Sequence, residues 1–176
     1  ISKVTDDIVK TISPEVESHY LPHAIDPKLF YPIEEEEILK HRSANFKNVK
    51  EDTFLIFWNS RNARRKQSGA IIWWFKEFLD RVGQDKAVLL MHTNPKDPNG
   101  PDLEAIIKEL GLDDGRVLFS SQGLPPEHLR LMYNMSDVTV SASDAEGFGL
   151  STLESLNCSK TQEPKCKEST ETSSRV

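Results

Sequence analysis

With 176 residues, 37% of them hydrophobic and 8% aromatic, the chain can build one sizeable core, which excludes a wholly disordered protein. A net charge of −6 weighs against a nucleic-acid partner, and no stretch approaches the roughly 20 apolar residues that span a bilayer. The mixed-charge start lacks the apolar run of a signal peptide, and both cysteines, Cys158 and Cys166, fall near the end, so no disulfide framework holds the body and a cytoplasmic location is expected.

The first element in chain order is a short amphipathic piece carrying Val4, Ile8, Val9 and Ile12, which stops before Pro14. It is too short to bury its own apolar side chains. Residues 1–18 therefore read as the remnant of an earlier domain with its linker. Glu34 to Glu37 mark an exposed helix start, where negative charge is favourable.

Residues 53–58 form an apolar run with the character of a buried strand. Ile71, Trp74, Phe75, Phe78, Leu79 and Val82 then recur at helical spacing over 68–82. A second strand covers 87–91. Leu103, Ile106, Ile107 and Leu110 mark a helix between Pro101 and Gly111. A third strand covers 116–120, Pro126 opens a helix with Leu129, Met132 and Tyr133, a fourth strand covers 137–141, and another helix begins near Phe148. Strands that alternate with helices need crossover connections, hence a Rossmann-like α/β fold, a mostly parallel sheet with helices on both faces. Residues 19–156 are read as that domain, left incomplete. Residues 157–176 are rich in Ser, Thr, Lys and Glu without an aromatic, and are expected to be a disordered or non-homologous tail. Because this tail interrupts a helix just begun, truncation or read-through is one reading, and a natural flexible tail is the other.

Ligands of open parallel sheets bind beyond the carboxyl ends of the strands. Two clusters stand there. Arg61, Arg64, Arg65 and Lys66 follow the first core strand and suit a polyanion such as a diphosphate, although a solvated basic turn has the same composition. Glu146, Gly147, Phe148, Gly149 and Leu150 follow the fourth strand, and Glu154 lies one turn into the next helix. The glycines let a backbone approach a ligand, the helix start offers unpaired N–H groups to an anion, and two carboxylates accept hydroxyl hydrogen bonds from a sugar or ribose. Spacing alone carries nothing, since Glu163 and Glu171 repeat it in the tail with no strand or glycine turn before them. An ordinary glycine turn leading into a helix is the plain alternative.

The segment from Glu146 to Glu154 resembles the Glu-x7-Glu donor motif of family-4-type retaining glycosyltransferases, which have the two-domain GT-B fold. The likeness extends to Tyr20 through Asp26 with Phe30 and Pro32, to Arg61 and Lys66, to Val117 through Phe119, and to Met132, Tyr133, Ser136, Asp137, Val138 and Ser141. It implies the C-terminal, donor-binding half of such an enzyme, which transfers a sugar from a nucleotide-diphosphate sugar with retention of configuration. Arg61, Lys66 and the amides of Gly147, Phe148, Gly149 and Leu150 would hold the donor diphosphate without a metal ion or cofactor. Glu154 would accept from the ribose, Glu146 would act as the catalytic residue at the donor sugar, and the base would lie near residues 117–122. Departures are Ser60 and Gln67, where the family carries glycines, and the long Asn/Pro/Asp-rich loop 92–100.

The resemblance also implies a missing N-terminal acceptor domain, so little or no turnover by this chain alone, and self-association through uncovered surfaces. Two other readings remain at this point: a GT-B nucleotide-sugar epimerase, and a non-catalytic α/β module that binds a protein. None of the five histidines has metal-ligand spacing in a suitable context, and each is read as structural or superficial. Trp73, Trp74, Phe75 and Phe78 are read as core or as a face toward another domain, not as a sugar-stacking platform.

Overall fold

The computed structural model describes residues 2–46, 50 and 52–159. The expected tail from residue 160 onward, with Cys166, Glu163 and Glu171, lies outside the described residues. The elements are α1 (Lys3–Ile12), α2 (Glu35–Asn45), β1 (Phe54–Asn59), α3 (Ser68–Val82), β2 (Ala87–His92), α4 (Leu103–Glu109), β3 (Val117–Ser120), α5 (Pro126–Met135), β4 (Val138–Thr139) and α6 (Leu150–Cys158). A single 3-10 turn, Arg64–Lys66, separates β1 from α3.

All neighbouring strands of the four-stranded sheet are parallel, in the order β3-β2-β1-β4. Phe54 pairs with Ala87, Ile56 with Val138 and Leu89 with Val117. Successive side chains of a strand point to opposite faces, and both faces here are covered. Trp58, Leu89 and Met91 pack with Ile71, Ile72, Phe75 and Leu79 of α3 and with Leu103 and Ile107 of α4. Leu55, Phe57, Val88 and Leu90 pack on the other face with Phe30, Tyr133, Met135 and Cys158. Burial on two sides explains why β1 and β2 read as unbroken apolar runs. Each fully buried Leu or Phe in these layers contributes about 2 kcal/mol.

The fourth strand is shorter than the expected 137–141. Its hydrogen bonds nevertheless extend past its ends: Asp137 N donates to Leu55 O at 2.9 Å and Val140 N to Phe57 O at 2.8 Å. The Asp137 carboxylate also accepts from Leu55 N and from Arg42 of α2, which ties the strand start to a helix. Beyond Val140 the chain turns away to build the site loop.

On α3 the buried stripe is Ile71, Ile72, Phe75 and Leu79, whereas Trp74 and Val82 of the expected face are exposed. The stripe is rotated because α3 packs against α4 as well as the sheet. Trp73 and Trp74, 50% and 51% exposed, lie outside the core, and only Phe75 of the four aromatics is buried. Trp74 and Phe78 wall an apolar groove of about 440 Å³ with Ile56, Leu89, Val140 and Ala142. α6 runs two residues into the stretch read as tail, and Cys158 is a core residue whose thiol burial pushes up to about 11. Among the described residues no helix is long and apolar enough to cross a membrane.

Candidate functional site

The turn after β1 and the loop after β4 meet above the carboxyl ends of the strands. Asp144 N donates to Arg65 O at 2.9 Å, Ser143 Oγ to the same oxygen at 3.1 Å, and Arg65 Nη1 returns a bond to Ala145 O at 2.6 Å. Gln67 Nε2 reaches the Asp144 carboxylate at 2.8 and 2.9 Å. These ties bring Lys66 Nζ onto Glu146 Oε1 in an ion pair, with Arg65 at 3.7 Å from the other oxygen. The Lys66 hydrogen bond holds the Glu146 carboxyl below its ordinary range, against a partial desolvation that raises it.

A cavity of about 400 Å³ opens over this pair, lined by Asn59, Ser60, Lys66, Glu146 through Ser151, and His23. Six of the expected site residues thus come together: Lys66, Glu146, Gly147, Phe148, Gly149 and Leu150. His23, Asn59 and Ser60 join them, none of which was expected as a site residue. The His23 ring meets Phe148 edge-on at 5.0 Å, and its segment is held down on α5 by Asn134, which accepts from Ile33 N at 2.9 Å. A larger hollow of about 770 Å³, with Thr53, Ala87 and Val88, sits at the amino ends of the strands, the wrong end for a ligand of a parallel sheet.

The two departures from glycine behave differently. Ser60 does not take a positive φ, whereas Gln67 is left-handed at φ 53°, the only such non-glycine residue among those described. The backbone at position 67 therefore keeps a glycine-like conformation, which costs a side-chain-bearing residue about 1 kcal/mol. We predict that Gln67→Gly raises stability by up to about 1 kcal/mol in urea unfolding. A loss of stability would mean that the amide bonds to Asp144 outweigh the relieved backbone. Of the two loop glycines only Gly149, at φ 83°, needs a left-handed backbone, because it caps α6; Gly147 has no positive φ.

Arg61 and Glu154 face other partners. Arg61 is 67% exposed against 12% for Lys66, does not line the cavity, and binds Asp97 of the long loop through Nε at 2.7 Å. Arg61, with the amide and side chain of Asn99, holds the Asp97 carboxyl far below the usual carboxylate range. A depressed folded-state pKa contributes stability that is fully present above the unfolded value near pH 4 and drains away as the pH falls toward the folded value. Asp97→Asn is accordingly expected to be less stable than the parent at pH 7, with the gap closing below about pH 4. Urea midpoints across pH 2–7 check this; a constant gap would contradict it.

Glu154 is half-buried on α6 and accepts from the Tyr133 hydroxyl at 2.8 Å; the same hydroxyl accepts from Asn59 Nδ2 at 2.7 Å. At the ends of β2 and β3, His92 Nδ1 and Ser120 Oγ are 3.0 Å apart, and burial lowers the imidazole pKa. None of residues 117–122, where a base was expected, lines the cavity.

The parallel sheet with helices on both faces is the Rossmann-like α/β fold of the C-terminal domains of GT-B glycosyltransferases. No protein-family model matches the chain, and no curated protein matches it. Among solved structures it is similar to the C-terminal domain of a group 1 glycosyl transferase (LpcC) from Francisella tularensis, at 23% identity and TM-score 0.61, covering 77% of this chain and 67% of that one. It is also similar to Anabaena HepE in complex with UDP-glucose, at 19% identity and TM-score 0.62, with 77% and 35% covered. Trehalose 6-phosphate synthase from Burkholderia multivorans follows at 15% identity and TM-score 0.64, with 82% and 34% covered. The chain thus spans about a third of the length of the latter two proteins.

Proposed function

We propose that this chain is the donor-binding part of a glycosyltransferase, taking a nucleotide-diphosphate sugar and acting with retention of configuration. The observation that carries this reading is the convergence of Lys66 and Glu146, from two different loops, on the cavity at the start of α6. In this reading the Lys66 ammonium leaves Glu146 and neutralises the diphosphate, which is the leaving group, so the charge that develops is stabilised where it appears. Amide groups from Gly147 to Leu150 add donors at a helix N-terminus. Glu146, released from Lys66, faces the donor sugar and accepts its hydroxyls, and Glu154 accepts from the ribose.

Arg61 joins the phosphate site only by exchanging Asp97 for the ligand, since both compete for one guanidinium. The acceptor binds in the cleft that a GT-B enzyme forms with its other domain, so the chain by itself binds donor and transfers little or nothing. UDP-glucose is the ligand of the Anabaena neighbour, which makes UDP the first nucleotide to try.

Calorimetric titration of the chain with UDP, GDP and ADP tests the reading. Micromolar-to-millimolar binding of one of them is the expected result. Absence of binding by all three to a folded chain overturns it.

A further inference from the structure

The Tyr133 hydroxyl sits between two groups that belong to different elements. Asn59, the last residue of β1, lines the cavity and donates to it; Glu154, on α6, accepts from it. The ring cannot turn aside. It is buried among Phe57, with ring centres 5.2 Å apart and edge to face, and Phe30 at 6.3 Å. A phenol has one proton. Because Asn59 occupies the hydroxyl as a donor, that proton is directed to Glu154 Oε2.

Burial first, and then the Glu154 hydrogen bond and charge, push the phenol pKa upward, so the group remains a donor wherever the protein is folded. One oxygen of Glu154 is thereby fixed, and among the described residues no donor meets the other, Oε1. A glutamate on a helix surface without such an anchor samples several rotamers.

We propose that Tyr133, oriented by Asn59, is a positioning residue that aims Glu154 at a ribose hydroxyl and thereby gives the site its preference for ribonucleotides over deoxyribonucleotides. The proposal rests on the donor-site reading above and adds the residues that enforce one contact within it. Neither Asn59 nor Tyr133 need touch the ribose for the effect. Their influence passes through the carboxylate.

The test titrates the full chain with UDP, GDP and ADP and with the 2′-deoxy and 3′-deoxy forms of whichever binds. The unaltered chain is expected to favour the ribonucleotide over at least one deoxy form by about tenfold, the worth of one hydrogen bond to a charged acceptor. Tyr133→Phe keeps the ring and its packing, and should reduce that preference to about twofold or less. In a Glu154→Ala background the preference is already gone, and adding Tyr133→Phe should leave the ratio unchanged, as for two residues acting through one contact.

Asn59→Asp supplies a second variant should Tyr133→Phe fail to fold. The new carboxylate would take the phenol proton from Glu154 and lower the ratio in the same way. A merely structural role for Tyr133 would weaken ribo- and deoxynucleotides alike and leave their ratio intact, which overturns the proposal. If none of the three nucleotides binds the unaltered chain, the donor-site reading falls and takes this proposal with it.

Discussion

Lys66→Ala is expected to weaken nucleotide-diphosphate binding about 100-fold. Two effects add. The variant loses a charge-assisted contact to phosphate, worth about 1.5–3 kcal/mol. It also leaves Glu146 in the cavity wall without its principal counter-charge, because Arg65 stands farther off at 3.7 Å. A carboxylate left with only the more distant Arg65 beside it then opposes the incoming anion. Calorimetry on the parent and the variant measures the loss, and circular dichroism should show no change of fold, since Lys66 is not part of either core. Equal affinity in the two chains would place the phosphates elsewhere.

Gly100→Ala is expected to destabilise the chain by about 3 kcal/mol, roughly a 10 °C fall in melting temperature. A Cβ at this position would stand 2.6 Å from the backbone oxygen of Asn62, and closer still to the Asn62 side chain. Asn62 has no room to withdraw. It is fully buried, donates to Pro101 O at 2.8 Å and accepts from Ser68 Oγ at 2.7 Å. The variant must give up those bonds or lift the loop that presents Asp97 to Arg61. Gly147→Ala is the control, because an added Cβ there meets nothing within 4 Å. Comparable melting temperatures for the two variants would contradict the packing described.

Much of the fold was legible in the sequence for a physical reason. Strands covered on both faces must be apolar at every position, so β1 and β2 declared themselves, and the intervening helices then required parallel crossovers. The face of α3 was less legible, because periodicity locates an apolar stripe but not which neighbours share it, and Ile72 proved buried where Trp74 did not. Within the site, Lys66 and the 146–150 loop were visible as strand-end clusters. The partner of Arg61 was not, since Asp97 is 36 residues away, and the unusual composition of its loop does not say which side chain it meets. Tyr133 and Asn59, 74 residues apart, were hidden for the same reason. His23 was read as structural or superficial and not as a site residue, because its partner Phe148 belongs to the far end of the chain.

The bonds between the two site loops have a consequence for how binding free energy is distributed. Fixing one loose residue costs about 1–2 kcal/mol of backbone entropy, and a ligand that must order two free loops loses most of its contact energy to that task. Here Asp144, Ser143, Ala145 and Gln67 already lash the loops together through Arg65 and one another. The ordering was completed when the chain folded. On the donor-site reading proposed above, a diphosphate arriving at this cavity would exchange one ion pair for another on a scaffold that is already in place.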